Sequence, residues 1–442
     1  MARGGPAGRD GRGGALAARP ARGRWLRGDH RRSGHRPAGH AGRRGAGARV
    51  SDRPRRYVRG AACAGARSAG SPPAVAEGGV AAHHAAGGHS RAGRIARPRG
   101  GTAPARERGA VISVLLPVRD AEATLPACIA SLEAQRHDDF EVLAVDDGSR
   151  DGSREVLHAW AARDPRVRVL TADGRGIVAA LETARAAAGR PYLARMDADD
   201  VAHPERFALQ LACLEAEPAL AGCGCHVRYV PPERVRDGAR RYQAWLNAII
   251  TPDDVAREIF VECPLAHPTF FLRADAVEAV GGYRDPGWAE DYDLVLRLWR
   301  AGRTLAVVPS VLLDWTERPD RLSRTDPRYA PEAFRRCKVH HLRHTLLDGR
   351  KGLVVWGAGP VGKAFAREAR AQGVRLRAFV DIDPRKIGQT VYGVPVLGPE
   401  ELQSVEGSLV AAAVGREGAR EEIRSALSGA GWCEGVDFVA VA

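Results

Sequence analysis

The chain has 442 residues, enough to bury two or three hydrophobic cores. Its formal net charge of +14 would suit a nucleic-acid-binding protein, but residues 1–109 alone carry 24 Arg, no Lys and five acidic residues. The remaining chain has a net charge of about −5. We therefore expect no specific nucleic-acid partner for the folded part of the protein.

Residues 1–109 are rich in Arg, Gly, Ala and Pro and show almost no apolar periodicity. Such a segment buries too little apolar surface to offset the entropy of ordering, so we predict that it is disordered. Two interpretations are open: a basic arm, which could bind RNA or an anionic membrane or act as a transit peptide, or upstream sequence translated from a start codon assigned too early.

Apolar runs in the chain are short. None reaches the roughly 18 residues that a membrane-spanning helix needs, and the N-terminus lacks the apolar core of a secretory signal. We therefore expect a cytoplasmic protein, with at most peripheral association at the inner face of the membrane.

Between residues 110 and 202 short apolar runs alternate with amphipathic segments. Strands are predicted in VISVLLP, FEVLAVDDGS, VRVL and PYLA, and helices in TLPACIASLEAQ, SREVLHAWAA and GIVAALETARAAA. This alternation predicts a doubly wound α/β sheet. Because ligands bind at the carboxyl ends of such strands, residues 117–120, 146–149 and 197–200 should line one crevice.

The pattern is weaker between residues 203 and 262. Helices are predicted in PERFALQLACLEAE and near PDDVAREIF, and a strand in AGCGCHVRYV, followed by an ordered run, HPTFFLR. A later helix begins with Glu290, Asp291 and Asp293 and has one apolar face. Acidic side chains in a first helical turn interact favourably with the helix dipole, and for Asp293 we prefer this structural role.

Three carboxylates, those of Asp197, Asp199 and Asp200, follow the predicted strand PYLA. Their mutual repulsion costs free energy unless a cation or a hydrogen-bond donor lies among them. Two carboxylates in a D-x-D pattern at a strand end suit Mg²⁺ or Mn²⁺, which share their ligands with substrate phosphates. The sequence therefore predicts a divalent-metal site here.

The motifs PVRDAEATL, VDDGSRDGS, GRGIVAAL, RMDADD, HPTF and AEDYDL occur in this order within about 111–325. As a set they resemble the family-2 glycosyltransferases, inverting enzymes with the GT-A fold. The resemblance implies transfer of a sugar, such as a hexose, from a nucleotide-diphosphate sugar to an acceptor hydroxyl on a glycan, a lipid carrier or a small molecule. The Q-x-x-R-W motif of processive synthases is missing, so we expect single addition.

The resemblance also implies roles for individual residues. Asp291 or Glu290 would supply the general base, with Asp291 preferred. His267 would complete the metal shell or contact the diphosphate, although a structural role is also open. The implied metal ligands are Asp197 and Asp199. The implied nucleotide-sugar-binding residues are Pro117, Arg119, Asp147 and Asp200. Arg175 is added to them because its guanidinium could neutralise phosphate oxygens.

Residues 349–442 form a second predicted domain, after a transferase domain at 110–348. GAGPVG fits G-x-G-x-x-G at Gly357, Gly359 and Gly362, between a predicted strand and helix, and Asp381 ends the next strand. The segment resembles the Rossmann-like nucleotide-binding domains attached to sugar-modifying enzymes. It could bind a nucleotide or NAD, or be a ligand-free structural domain.

The preferred function is a metal-dependent, inverting glycosyltransferase in polysaccharide or glycoconjugate synthesis. The main alternative is a catalytically inactive nucleotide-sugar-binding regulatory protein, against which the intact D-x-D and Glu-Asp pairs argue. An NAD-dependent oxidoreductase is disfavoured because the C-terminal segment is too short for an obvious hydride-transfer site.

Overall fold

The computed structural model describes residues 111–172 and 174–442. The segment predicted to be disordered, residues 1–109, lies outside the described residues. The strands are β1 (Ile112–Val118), β2 (Phe140–Asp146), β3 (Val167–Thr171), β4 (Tyr192–Arg195), β5 (Val201–Ala202), β6 (Leu220–Val230), β7 (Phe271–Arg273), β8 (Thr304–Thr316), β9 (Leu353–Trp356), β10 (Leu376–Val380), β11 (Thr390–Val391), β12 (Val394–Leu397), β13 (Leu409–Ala412) and β14 (Phe438–Ala440). The α-helices are α1 (Leu125–Glu133), α2 (Ser153–Arg163), α3 (Ile177–Ala187), α4 (Arg206–Ala216), α5 (Asp237–Asn247), α6 (Pro252–Glu258), α7 (Ala274–Ala279), α8 (Glu290–Arg300), α9 (Leu322–Thr325), α10 (Pro331–Arg343), α11 (Pro360–Ala371) and α12 (Ala419–Gly429).

The first sheet has eight strands in the order β3-β2-β1-β4-β7-β6-β8-β5. Strand β1 runs parallel to both β2 and β4, and β2 runs parallel to β3. The last residue of β1, Val118, is in register with Asp146 at the end of β2. The predicted doubly wound arrangement is confirmed, and the polar ends of β1, β2 and β4 meet at one edge of the sheet.

The apolar runs of β1 and β2 are continuous because both faces of this sheet are covered. In β1, Leu115 packs into one hydrophobic cluster together with Leu143 and Leu181. Its neighbours Val114 and Leu116 point the other way, into a second cluster. Side chains that alternate between two buried faces are mostly apolar, as expected for parallel sheets; the buried Ser113 of β1 donates a hydrogen bond to Glu141 at 2.7 Å.

The sequence patterns missed several elements, of which the longest are helix α5 and the 13-residue strand β8. Strand β8 pairs in parallel with β6 over most of its length, with register shifts, and ends at Thr316 beside the crevice. The run HPTFFLR is divided into a 3₁₀ turn, His267–Thr269, and strand β7. These elements extend the parallel sheet with antiparallel and mixed pairings that local periodicity does not encode.

The second sheet lies within 353–440 and has six strands in the order β11-β12-β10-β9-β13-β14. Strand β9 is flanked by β10 on one side and β13 on the other, both parallel to it. The chain order reverses between β9 and β13, which makes their carboxyl ends a topological switch point. A second α/β sheet is thus present. That residues 349–442 form a separate domain stays a prediction.

Helices α6, α10, α11 and α12 connect the two sheets. Glu258, at the end of α6, is buried and accepts from Trp245 at 3.0 Å, while Arg420 and Arg424 of α12 lie 3.2 and 2.9 Å from its carboxylate. Lys338 of α10 donates to the carbonyl oxygen of Val441 at 3.0 Å. No helix among the described residues has the length and apolar character needed to cross a membrane.

Candidate active site

A crevice of about 510 Å³ opens at the carboxyl edge of the first sheet. It is lined by the ends of β1, β2 and β4, by the start of α8 and by the segment after β8. The predicted site residues that line it are Pro117, Arg119, Asp147, Asp197, Asp199, His267 and Asp291. Motifs separated by up to 170 residues in sequence therefore share one cavity.

The three carboxylates that follow β4 form a tight cluster. One oxygen from each of Asp197, Asp199 and Asp200 lies within 4.8 Å of the other two. The backbone of Thr316, at the end of β8, holds the cluster by donating to Asp200 Oδ1 at 2.8 Å, and its hydroxyl donates to the carbonyl oxygen of Asp199. The other oxygen of Asp200 is buried without a hydrogen-bond partner in the described residues.

Burial raises the pKa of Asp199 and of Asp200, and the nearby charge of Asp197 adds to the shift. Two cations partly offset this charge: Arg195 pairs with Asp197, and Arg318 lies 3.2 Å from Asp199. Three features fit a divalent cation: the ligands are oxygen atoms, burial and repulsion disfavour the ionised carboxylates, and one oxygen of Asp200 has no partner within the described residues. Asp200, predicted to bind the nucleotide sugar, thus lies inside the candidate metal cluster.

The predicted nucleotide residues lie at the ends of β1 and β2. Asp147 is buried, and its Oδ2 accepts from the backbone N–H of Gly176 at 2.9 Å and from Arg119 at 3.5 Å. Its Oδ1 is buried without a partner among the described residues and is free to accept from a ligand. Arg175 is exposed, donates to the carbonyl oxygen of Ala172 and does not belong to the crevice lining.

The acidic pair at the start of α8 has two different environments. Glu290 is fully buried, and its two oxygens accept from the hydroxyl of Tyr329 at 2.8 and 2.7 Å. Asp291 lines the crevice, and its Oδ1 accepts from the backbone of Tyr292 at 2.7 Å. Burial, reinforced by the charge of Glu290, raises the pKa of Asp291 to about 7. A carboxylate with this pKa is suited to accept a proton near neutral pH.

Asp293, in the same helical turn, has a structural role. It lies 2.6 Å from Arg297 and 3.2 Å from His341, and Trp288 donates to it at 3.1 Å. Although burial acts in the opposite direction, the hydrogen bond from His341 and the charge of Arg297 lower the pKa of Asp293 to about 2. This residue therefore stays ionised and anchors α8.

His267 is buried between the acid pair and a tyrosine. Its Nε2 lies 3.3 Å from the Tyr283 hydroxyl, and its Nδ1 lies 3.6 Å from Glu290. Burial, together with the charge of Arg195, lowers its pKa, which favours a neutral imidazole. The carboxylate cluster does not include His267, so its role as a metal ligand stays a prediction.

Sequence patterns missed three residues of this site: Thr316, Arg318 and Tyr329. Arg318 follows β8 in the Arg-rich stretch TERPDRLSRTD. Recognising β8 as a strand would have placed Thr316 and Arg318 at its carboxyl end. Tyr329 carries no local signal, because only the fold brings it to Glu290.

The glycine-rich turn of the second sheet has the predicted strand–turn–helix context, between β9 and α11. A Cβ at Gly362 would lie 1.8 Å from the carbonyl oxygen of Gly357, whereas a Cβ at Gly359 would meet nothing within 4 Å. Asp381 accepts from the backbone of Ala358 at 2.8 Å and from Lys386 at 3.0 Å. Its carboxylate therefore stabilises the turn, and its predicted contact with a ribose stays a prediction.

The part of the chain that forms this crevice is similar to known proteins. Residues 113–281 match the model of "Glycosyl transferase family 2". An uncharacterised protein, y4gI of Sinorhizobium fredii, is 31% identical over 58% of this chain and 28% of its own length. The amylovoran biosynthesis glycosyltransferase AmsE of Erwinia amylovora is 29% identical over 46% of this chain and 75% of its own. The putative glycosyltransferase EpsE of Bacillus subtilis is 29% identical over 44% and 68%.

Among solved structures, S. aureus TarS in complex with UDP-GlcNAc aligns with 52% of this chain and 66% of its own, with a TM-score of 0.44 and 16% identity. The mannosyltransferase PcManGT of Pyrobaculum calidifontis, in complex with GDP-Man and Mn²⁺, aligns over 58% of this chain and 68% of the PcManGT chain. The TM-score is 0.39 and the sequence identity is 20%.

Proposed function

From the premise that this chain carries a family-2 glycosyltransferase domain, we propose that it transfers a sugar from a nucleotide-diphosphate sugar to an acceptor hydroxyl, with inversion and with a divalent metal. The observation that carries the proposal is the crevice that brings the carboxylate cluster and Asp291 into one cavity. A displacement needs both a group that stabilises the leaving diphosphate and a base for the incoming hydroxyl.

On the donor side, Asp147 would accept from the nucleotide through its unpartnered Oδ1. Pro117 and Arg119 line the same part of the crevice. Asp197, Asp199 and Asp200 would hold Mg²⁺ or Mn²⁺, whose charge offsets the charge that develops on the diphosphate. Arg195 and Arg318, which pair with these carboxylates, would limit their repulsion before the donor binds.

On the acceptor side, Asp291 would act as the general base. The acceptor oxygen forms a bond to the anomeric carbon, its proton passes to the Asp291 carboxylate, and the bond from the anomeric carbon to the diphosphate oxygen breaks. Attack from the side opposite the leaving group inverts the anomeric centre. Glu290, held by Tyr329, is a positioning residue: its charge helps raise the pKa of Asp291.

The name of one relative, the amylovoran biosynthesis glycosyltransferase AmsE, supports a setting in polysaccharide synthesis. We propose that this chain acts in polysaccharide synthesis and adds a single sugar to a glycan, a lipid carrier or a small molecule. A cytoplasmic location at the inner face of the membrane, and a nucleotide or NAD in the C-terminal unit, stay predictions.

The full chain, incubated with UDP-, GDP- and dTDP-sugars with and without Mn²⁺, tests this proposal. We expect one donor to be hydrolysed slowly and to raise the melting temperature, in both cases only with metal. An Asp199→Asn variant should lose both responses, whereas Arg303→Gln, an exposed arginine outside the crevice, should keep them. If no donor elicits hydrolysis or stabilisation, the chain is a non-catalytic protein and the proposal is wrong.

A further inference from the structure

A second cavity, of about 560 Å³, lies between the two sheets. Aromatic side chains form much of its wall: Tyr242 and Trp245 of α5, Phe334 of α10 and Phe365 of α11. Aromatic faces of this kind offer flat apolar surfaces on which a ring can pack. The cavity has a volume typical of ligand sites.

The cavity reaches the switch point of the second sheet. Val361, in the first turn of α11, and Ala413, directly after β13, both line it. The carboxyl ends of β9 and β13 are where an open α/β sheet binds its ligands. The C-terminal unit therefore contributes its usual ligand-binding edge to a cavity whose opposite wall belongs to the transferase part of the chain.

The same cavity also reaches the candidate catalytic acids. Tyr329 lines both this cavity and the catalytic crevice, and its hydroxyl donates to Glu290. Glu262, which lines the second cavity, is among the charges that act on Asp291. The second cavity thus shares a wall residue, Tyr329, with the crevice that Asp291 lines.

The charged side chains of the cavity wall are mostly basic: four cations, Arg241, Arg335, Lys338 and Arg420, face one acid, Glu262. Two of the cations have acidic partners, since Arg335 pairs with Glu332 and Arg420 with Glu258. The other two are better placed to meet an anion from outside.

Lys338 is more than nine-tenths buried, and its ammonium donates to two neutral carbonyl oxygens, those of Val261 at 2.7 Å and Val441 at 3.0 Å. Its third N–H has no partner among the described residues. Arg241 is exposed at the rim and has no acidic partner within the described part of the chain. The charge of Glu262 acts on Lys338 and offsets part of the cost of burying its ammonium. An anionic ligand would offset more of this cost.

We propose that this second cavity is the acceptor subsite and that it takes an anionic saccharide, whose ring packs on the aromatic wall and whose carboxylate or phosphate lies between Lys338 and Arg241. The C-terminal unit would then contribute to acceptor specificity through Val361. This inference rests on the proposed function, because an acceptor is defined by the transfer reaction.

Binding of defined probes to the full chain tests the proposal. Calorimetric titration would compare p-nitrophenyl β-glucuronide, which carries a carboxylate, and glucose 6-phosphate with the neutral p-nitrophenyl β-glucoside and glucose. We expect each charged probe to bind about tenfold more tightly than its neutral counterpart, the effect of one additional charge pair of about 1.4 kcal/mol. The matched pair with the larger ratio of charged to neutral affinity identifies the anion.

Two variants and two matched controls locate the binding. Arg241→Gln and Val361→Glu should abolish the preference for charged probes. Arg303→Gln removes an exposed arginine elsewhere, and Val436→Glu adds a charge at a valine that is 42% exposed, like Val361 at 43%, but outside the cavity lining. Both controls should keep the preference.

Equal binding of charged and neutral probes, or of the two variants and their controls, would overturn the acceptor assignment. A separate titration with UDP, GDP and dTDP in the presence of Mn²⁺ distinguishes this failure from failure of the proposed function. If the wild-type protein does not bind any of these nucleotides, the transferase proposal is wrong. If it binds a nucleotide but shows no preference for charged probes, only the inference about the second cavity is wrong.

Discussion

Replacing Asp291 by Asn should have opposite effects on catalysis and on stability. The carboxyl pKa of about 7 lies about three units above its ordinary value of 3.8, which corresponds to about 4 kcal/mol in favour of the neutral form. The folded protein therefore binds more protons than the unfolded chain between about pH 4 and pH 7, and the free energy of unfolding falls as pH rises through this window. A neutral amide at this position avoids that cost.

We expect Asp291→Asn to raise the free energy of unfolding by up to about 4 kcal/mol at pH 8, less at pH 5 and not at all near pH 3. The same variant should lose about 10² to 10⁴-fold in kcat, or about 3 to 5 kcal/mol, while its affinity for the donor is retained. In the wild-type protein kcat should rise through about pH 7, because the base acts in its unprotonated form.

Denaturant unfolding at three pH values, donor titration and single-turnover transfer would measure these quantities. Asp293→Asn is the matched control from the same helical turn. Its folded pKa of about 2 lies below the unfolded value of 3.8, so the wild-type residue stabilises the fold above pH 4, and the variant should be about 2 kcal/mol less stable at pH 8. If Asp291→Asn is also destabilised at pH 8, or keeps its kcat, our account of this residue is wrong.

Three further predictions concern the metal, the acid pair and the glycine-rich turn. Asp199→Asn should weaken Mn²⁺ binding, measured by titration with UDP present, by about tenfold or more, because a cluster ligand loses its charge. Tyr329→Phe removes the hydrogen bonds to Glu290 and should lower kcat more than it raises the donor KM, with an altered pH profile. Gly362→Ala should lower the free energy of unfolding, measured by denaturant titration, by about 1 to 3 kcal/mol because its Cβ would clash with a carbonyl oxygen. Gly359→Ala should change this free energy little, because its Cβ would meet nothing within 4 Å.

The doubly wound α/β fold could be predicted because the first four strands follow simple rules. Strands β1 and β2 are buried on both faces, so their sequences are continuous apolar runs. The later part of the sheet was harder. Strand β8 has three exposed residues in its middle, one of which is Pro309. Helix α5 has a single buried residue, Leu246. Neither element therefore has a strong periodic pattern.

The candidate site was predictable where its residues occur in local motifs. The carboxylates after β4 and the acid pair of α8 each stand in a short motif, and the structure brings Asp199 and Asp291 to one crevice. Contacts made by tertiary structure were not predictable. Tyr329 contacts Glu290 although the two residues are 39 positions apart in the sequence. This contact makes the environment of Glu290 different from that of Asp291.

The buried carboxylate of Glu258 has a practical consequence for protein engineering. Two of its cationic neighbours, Arg420 and Arg424, come from α12, and a third, Arg257, lies beside it in α6. Shortening the gene to encode a chain that stops at residue 348 would remove both guanidinium groups together and expose a carboxylate that the second sheet had covered. Arg257 and Trp245 would remain as its partners, and water would hydrate it, so the cost should be smaller than that of breaking a pair that stays buried. A minimal catalytic fragment could still be improved by a neutral replacement, such as Glu258→Gln.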